Sequence, residues 1–215
     1  MGKDKLRKFR EIDGFENVLQ LEEGKPFKGR WSELFFKNDK PITLELACGK
    51  GEYTVNMSHA FPERNFIGVD FKGNRLWRGA KTALEQQQDN VAFLRIRIED
   101  ILDYFAEDEV NEIWITFPDP QPQLSREKKR LTSPRFMQMY QIILETEGHM
   151  HLKTDNVGLY QYTREQIVVN EAKELKATDD LYQSVWLNET LQIKTFYEQK
   201  YLAENCPIHY INWQF

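Results

Sequence analysis

A glycine-rich turn flanked by two carboxylates is the first feature of the chain with residue types suited to ligand binding. The turn ELACGKG (45–51) follows the apolar run 42–46 and leads into a helical pattern. Glycines there allow positive φ and a close approach of backbone to ligand, although a tight βα connection alone would also use them. Glu45 precedes the glycines, and Asp70 closes the next apolar run, where a carboxylate can bind a ribose diol. The spacing therefore predicts a nucleoside-containing ligand.

The details of the turn favour S-adenosylmethionine over a nicotinamide cofactor. The dinucleotide fingerprint G-x-G-x-x-G is incomplete because Thr54 stands at its third glycine. Glu45 suits the cationic methionine end of S-adenosylmethionine, whereas Asp70 would serve either nucleoside. Glu99, after the third apolar run, is our choice over Asp100 for the adenine amino group, although both residues also suit the acidic first turn of a helix. We predict Glu45, Gly49, Gly51, Asp70 and Glu99 as cofactor-binding residues.

A proline-bracketed carboxylate follows the fourth apolar run. In FPDPQP (117–122) three prolines surround Asp119, and each fixes its own φ and restricts the residue before it. Ligands of open α/β sheets bind outside the carboxyl ends of the strands. Asp119 is thus expected to be held stiffly where a substrate meets the cofactor.

These motifs require a particular scaffold, and the hydrophobic pattern predicts it. Short apolar runs alternate with amphipathic stretches, which is typical of a doubly wound α/β fold with a mostly parallel sheet. The strand-like runs are 42–46, 65–70, 90–96, 112–117 and 149–154, and the helical patterns lie near 52–60, 73–87, 99–106, 133–144 and 156–170. In 173–182 and 190–215 full helices no longer separate the runs, which predicts an antiparallel edge. The first 40 residues are expected to anchor on the domain without joining its sheet.

Bulk composition limits the remaining possibilities. The chain has 215 residues, a formal net charge of -5 and two cysteines far apart, and it carries no signal-peptide or membrane-spanning pattern. We expect a cytoplasmic protein with reduced cysteines and no metal, because His149 and His151 are too few ligands for a zinc site. Basic residues cluster twice, at Lys3, Lys5, Arg7, Lys8 and Arg10 and at Arg126, Lys128, Lys129 and Arg130. Either cluster alone fits a solvated surface as well as a nucleic-acid contact.

Over residues 40–215 the chain resembles the bacterial tRNA (guanine-N7-)-methyltransferases. The resemblance rests on motifs in a fixed order: ELACGKG (45–51), IGVD (67–70), FPDP (117–120), REKKRLT (126–132), HLKTDN (151–156) and TFYEQKY (195–201). It implies a class I methyltransferase fold, Rossmann-like, with a seven-stranded sheet, a methyltransferase domain at 41–215 and an N-terminal basic arm at 1–40 whose order without RNA stays open.

The resemblance also implies an activity and residue roles. The cofactor would be S-adenosylmethionine and the substrate tRNA, methylated at guanine N7 of guanosine 46 in the variable loop. Asp119 would be catalytic, and no metal would take part. Asp155, Thr195, Phe196, Tyr197 and Glu198 would contact the guanosine, and the basic residues Arg126, Lys128, Lys129 and Arg130 would face phosphates. Whether the protein is a monomer or a homodimer stays open.

Four residues depart from the family pattern. Ala47 replaces a turn glycine, Arg97 stands where many members carry an acid, and Gln121 and Gln123 replace a Trp and a Lys. These departures keep two alternatives open: a methyltransferase of a small molecule or protein, and an RNA-binding protein that has lost transfer activity.

Overall fold

The computed structural model describes residues 3–215 of the chain. Its α-helices are α1 (Lys3–Ile12), α2 (Glu52–Ala60), α3 (Gly73–Glu85), α4 (Pro134–Ile143), α5 (Val157–Val169), α6 (Glu189–Gln192) and α7 (Phe196–Ala203). Its strands are β1 (Val18–Gln20), β2 (Ile42–Leu46), β3 (Asn65–Val69), β4 (Val91–Arg95), β5 (Val110–Thr116), β6 (Leu144–Thr154), β7 (Lys173–Thr178) and β8 (His209–Gln214). The predicted alternation of strands and helices is confirmed, with the pattern near 99–106 forming a 3₁₀ helix at Ile98–Asp103.

The strands form one sheet in the order β1-β4-β3-β2-β5-β6-β8-β7. Neighbours are parallel except where β8 pairs with β6 and β7. The predicted mostly parallel sheet with an antiparallel edge is confirmed, although it has eight strands where seven were expected. The chain order reverses between the adjacent strands β2 and β5, and such a switch point is where ligands of open α/β sheets bind.

The additional strand comes from the N-terminal segment. Val18 lies opposite Phe93 in the parallel pairing of β1 with β4, and α1 packs against α3, where the Trp77 indole nitrogen donates to Glu11 at 2.8 Å. The expectation that the first 40 residues build no part of the sheet is therefore wrong. An exposed edge of β4 would offer unpaired backbone groups, and β1 covers it. The division at residues 40 and 41 stays a prediction.

Helices on both faces bury the nearly continuous apolar strands. Every residue of β2 and β3 is buried, as expected for parallel strands covered on both sides. Four of the five tryptophans are buried, namely Trp31, Trp77, Trp114 and Trp213. Among residues 3–215, no helix combines the length and apolar character needed to cross a membrane.

Candidate active site

A cavity of about 360 Å³ lies at the carboxyl ends of β2, β3, β4 and β5. Its wall contains the predicted residues Asp70, Glu99, Asp119 and Lys129 together with the departures Ala47, Arg97 and Gln121, and further lining comes from Phe71, Lys72, Arg75, Ile98, Phe117, Pro118, Leu131 and Phe136. The volume is within the range typical of small-molecule sites. The switch point of the sheet thus brings Asp70, the predicted nucleoside-binding carboxylate, and the proline-bracketed Asp119 to the same cavity.

The glycine turn has the left-handed backbone that its composition predicts. Gly49 and Gly51 have φ of 59° and 68°. A Cβ on Gly51 would lie 2.5 Å from the Phe93 ring, whereas on Gly49 it would meet nothing nearer than 3.9 Å. Gly51 is thus required for packing, and Gly49 leaves open space. Ala47 also has a positive φ, 57°, which is unfavourable for a residue with a Cβ.

The Asp70 side chain is fixed in the cavity wall by backbone donors. Asp70 is 7% exposed, its Oδ2 accepts from the Gly49 nitrogen at 3.0 Å and its Oδ1 accepts from the Lys72 nitrogen at 2.8 Å. Each carboxylate oxygen has two lone pairs. Asp70 can therefore accept further hydrogen bonds from a diol without moving.

Glu45 lies beneath the turn and outside the cavity lining. Its Oε1 accepts from the Thr116 hydroxyl at 2.5 Å, and its Oε2 accepts from both the nitrogen, at 2.9 Å, and the hydroxyl of Thr54. Burial raises the pKa of Glu45 to about 7, against the lowering effect of these hydrogen bonds. The structure shows Glu45 tying α2 to β5, and its contact with a cofactor stays a prediction.

The loop after β4 places Arg97 and Glu99 in the cavity wall, both exposed. Asp100, which also followed this strand in the sequence, is exposed outside that lining. Glu99 and Arg97 thus line the cavity and Asp100 does not, and the contact of Glu99 with adenine stays a prediction.

The FPDP loop combines strained backbone with an exposed carboxylate. Phe117 and Gln121 have φ of 47° and 44°, and such conformations cluster at functional sites. The Phe117 nitrogen donates to the Lys153 carbonyl at 2.8 Å, and its ring stacks on Tyr201 with centroids 6.0 Å apart. Asp119 is exposed, and its Oδ1 accepts from the Gln121 nitrogen at 3.1 Å. The loop is anchored at its start while the carboxylate faces solvent.

The basic segment forms a 3₁₀ helix at Leu124–Lys129. Arg126, Lys128 and Lys129 are exposed, and Lys129 reaches the cavity. Arg130 differs, because its Nε donates to the Gln121 carbonyl at 3.2 Å and its guanidinium lies 4.3 Å from the centre of the Tyr162 ring. Arg130 braces the FPDP loop, and its predicted phosphate contact stays a prediction. Gln123, exposed, lies outside the lining.

The TFYE motif begins α7 and splits into exposed and buried residues. Phe196 and Tyr197 are 54% and 45% exposed. Thr195 is buried and caps the helix, its hydroxyl accepting from the Glu198 nitrogen at 3.1 Å. Glu198 is fully buried. Two of the four residues are thus accessible to a substrate here, and all four predicted contacts stay predictions.

Glu198 is held by a lysine that the sequence analysis did not single out. Lys153 Nζ lies 2.7 Å from Glu198 Oε1, and both side chains are fully buried. The same ammonium donates to the carbonyls of Leu191 and Ile193 at 3.0 and 3.1 Å, and the Tyr182 hydroxyl donates to Glu198 at 2.9 Å. The sequence offered one signal for this pair, the single lysine within the strand-like run HMHLKT. A lysine buried in a strand needs an acidic partner.

Asp155 follows Lys153 by two residues at the end of β6 and is partly exposed. Burial, with the nearby Asp155 carboxylate, raises the pKa of the Tyr201 hydroxyl. Because Tyr201 also stacks on Phe117, the start of the FPDP loop, α7 and the end of β6 meet at one place.

The histidine pair has structural partners. His151 Nε2 lies 2.9 Å from Glu112 Oε1, its Nδ1 lies 2.9 Å from the Tyr210 hydroxyl, and its ring stacks on Trp114. Within residues 3–215, no group of three or more His, Cys, Asp or Glu is arranged to hold a metal ion. Cys48 and Cys206 are free.

Comparison with known proteins assigns the family. Residues 39–211 match the family model Methyltransf_4, described as a putative methyltransferase. The tRNA (guanine-N(7)-)-methyltransferase of Christiangramia forsetii is 50% identical over 99% of this chain and 98% of its own. The enzyme of the same name from Cytophaga hutchinsonii is 41% identical over 100% and 99%. The chain belongs to the tRNA (guanine-N7-)-methyltransferase family.

Solved structures support the fold. The 16S rRNA methyltransferase KamB superimposes with a TM-score of 0.66 at 13% identity, over 87% of this chain and 93% of its own. A structure described as an antibiotic-related methyltransferase gives a TM-score of 0.65 at 14% identity, over 94% and 97%. The predicted class I methyltransferase fold is confirmed.

Proposed function

We propose that the protein transfers a methyl group from S-adenosylmethionine to N7 of a guanine in tRNA, at guanosine 46 of the variable loop. The observation that carries the proposal is the shared cavity at the switch point, where Asp70 can hold a nucleoside and Asp119 can meet a base. Membership of the family supports the same reaction.

The residues present fit the cofactor. Asp70 presents fixed acceptors for the ribose diol, and Gly49 leaves space beside it. Phe71 and Ile98 add apolar surface for a purine, and Glu99 adds an acceptor for the adenine amino group. Glu45 lies behind the turn, and once the pH exceeds its raised pKa of about 7 its negative charge would attract a cationic methionine end even without direct contact.

When bound, S-adenosylmethionine supplies a methyl group activated by a positively charged sulfur. Guanine N7 carries a free lone pair, so the protein need not remove a proton to create the nucleophile. The task of this chain is to hold the two reactants in line. Orientation of that kind accounts for roughly 7 to 11 kcal/mol of barrier in favourable cases.

Asp119 is the residue we assign to the guanine. Its exposed carboxylate accepts hydrogen bonds from the N–H edge of the base and stabilises the positive charge that develops on the purine ring. The prolines stiffen the loop, and the Phe117 nitrogen donates to the Lys153 carbonyl. The loop backbone therefore stays in place when the base binds to Asp119.

The tRNA is held by contacts outside the catalytic centre. Arg126, Lys128 and Lys129 are exposed and suited to phosphates, on the 3₁₀ helix whose last residue, Lys129, lines the cavity. We assign contacts with the guanosine and its neighbours to Asp155 and to the exposed rings of Phe196 and Tyr197. We propose that this enzyme works in the cytoplasm, as a monomer or homodimer.

Two measurements test the proposal. Calorimetry with S-adenosylmethionine should show binding, and labelled methyl should be transferred to tRNA that lacks the modification, at a guanine mapped to the variable loop. Binding without transfer would favour a protein that has lost its activity, a possibility that the strained Ala47 and the substitutions Gln121 and Gln123 motivate. Transfer to a small molecule or protein in place of tRNA would contradict the substrate.

A further inference from the structure

Four basic side chains line the cavity without an acidic partner. Lys72, Arg75, Arg97 and Lys129 are all exposed. In the described part of the chain, none of them belongs to an ion pair, whereas Arg7, Lys8, Lys25, Arg30, Arg64, Lys81, Lys153, Arg164 and Lys200 all do. In a chain with a net charge of -5, four exposed cations thus line one opening, together with the three carboxylates Asp70, Glu99 and Asp119.

The four cations lie on two sides of the cavity. Lys129 belongs to the basic segment after β5, whereas Lys72 and Arg75 flank the start of α3 and Arg97 follows β4. The first turn of α3 contains no acidic residue, so the positive end of its helix dipole adds to the same field. We call Lys72, Arg75 and Arg97 the α3-side cluster. Sequence analysis assigned phosphate contacts only to the opposite side.

The cofactor does not account for this cluster. S-adenosylmethionine carries a single carboxylate, on its methionine end, while its sulfonium is positive and its adenosine is uncharged. The three cations outnumber the two carboxylates beside them, Asp70 and Glu99, and a cofactor with a net positive charge adds no anion to offset the excess. A chain with one negative charge per nucleotide supplies the missing anions.

We propose that the α3-side cluster binds the phosphodiester backbone of the tRNA, so that the RNA crosses the cavity and is held on both sides of it. This inference rests on the proposed function and adds a second phosphate-binding surface to it. A backbone gripped on both sides fixes the position of the nucleotide between the two contacts, which is the one presented to Asp119.

The test compares two double variants in which the charge change is the same. Arg75→Gln/Arg97→Gln removes two cations of the cluster. The control, Lys37→Gln/Lys173→Gln, removes two exposed lysines that form no ion pair within residues 3–215. Lys37 lies in the segment before β2 and Lys173 begins β7, both at the opposite end of the sheet. The Kd for tRNA lacking the modification is measured over a range of salt concentrations, and the Kd for S-adenosylmethionine is measured by calorimetry.

The cluster variant should weaken tRNA binding about tenfold at low salt and reduce the slope of log Kd against log salt by about 2, one for each lost phosphate contact. Its Kd for S-adenosylmethionine should stay at the wild-type value, and the control should bind tRNA like the wild type. Unchanged tRNA binding, or an equal effect in the control, overturns the inference. Weakened cofactor binding with intact tRNA binding also overturns it, since the cations would then serve the cofactor.

A different result would show that the proposed function itself is wrong. In that case wild-type protein transfers no methyl group to tRNA. The inference alone fails when the wild type methylates tRNA and the cluster variant binds it equally well.

Discussion

Asp70 and Asp119 line the same cavity, but the protein holds them in different ways. Asp70 is buried and bonded to two backbone nitrogens, whereas Asp119 is exposed and bonded to one nitrogen of its own loop. On the proposed cofactor side, the Asp70 carboxylate itself is fixed. On the proposed substrate side the exposed carboxylate is not itself fixed. The residues beneath it are, through the buried Lys153–Glu198 ion pair and the backbone hydrogen bond of Phe117. Under the proposed function, the cofactor would meet a carboxylate that is already fixed, while the tRNA would meet exposed groups supported by buried contacts.

The largest effect is expected from breaking the support under the substrate side. Lys153→Met leaves Glu198 as an unpaired buried charge, which should lower the free energy of unfolding by about 3 to 5 kcal/mol in denaturant titrations. Lys153→Met/Glu198→Leu should recover much of that loss.

The matched control uses Lys200, which lies on α7 with Glu198. Lys200 and Glu204 form an exposed pair at 3.8 Å, so Lys200→Met should cost less than about 1 kcal/mol. Equal losses for the two lysine variants would show that burial of the Lys153–Glu198 pair is not what supports α7.

The support under the cofactor side should respond to pH. Burial raises the pKa of Glu45 to about 7 from its usual 4.5, so the folded state holds a proton that the unfolded state releases. Stability from this proton is fully present below pH 4.5 and is lost as the pH rises to about 7. The unfolding free energy of wild type relative to Glu45→Gln should therefore fall by about 3 kcal/mol across this window. Glu85→Gln, at an exposed carboxylate, is the control, and a flat difference for Glu45→Gln would contradict the prediction.

Asp119→Asn tests whether the exposed carboxylate acts in the reaction. The rate of methyl transfer at saturating tRNA should fall about 100-fold, equivalent to about 2.7 kcal/mol, because the neutral amide does not stabilise the developing positive charge. The Kd for S-adenosylmethionine and the unfolding free energy should not change, since the side chain is exposed. Asp89→Asn, at an exposed turn between α3 and β4, should keep the wild-type rate. Full activity of Asp119→Asn would refute the assigned role.

The smallest effect concerns the turn itself. Ala47 has a φ of 57°, and glycine adopts that conformation without strain. Ala47→Gly should stabilise the protein by about 0.5 to 1 kcal/mol, the relieved strain exceeding the added entropy of the unfolded chain. Ala60→Gly, at the end of helix α2, should instead destabilise by a similar amount. Thermal unfolding of both variants measures the contrast, and a destabilised Ala47→Gly would contradict it.

Much of the site could be predicted from local sequence. The glycine turn, Asp70 at its strand end and the prolines around Asp119 act over a few residues, because backbone conformation and strand termini follow from neighbouring side chains. Once the alternation of strands and helices indicated a parallel sheet, these carboxylates had to share its carboxyl edge. The order of the motifs along the chain indicated the family.

The tertiary structure alone decided which groups are buried and which partners they find. Glu45 and Glu198 were expected at the ligands, yet Glu45 lies under the turn against Thr116 and Glu198 is paired with Lys153, 45 residues away in sequence. The cations Lys72, Arg75 and Arg97 surround one opening only because two loops meet there. β1 likewise joins the sheet because β4 lies nearby with an open edge. Such contacts join distant parts of the chain, and neither periodicity nor spacing determines them.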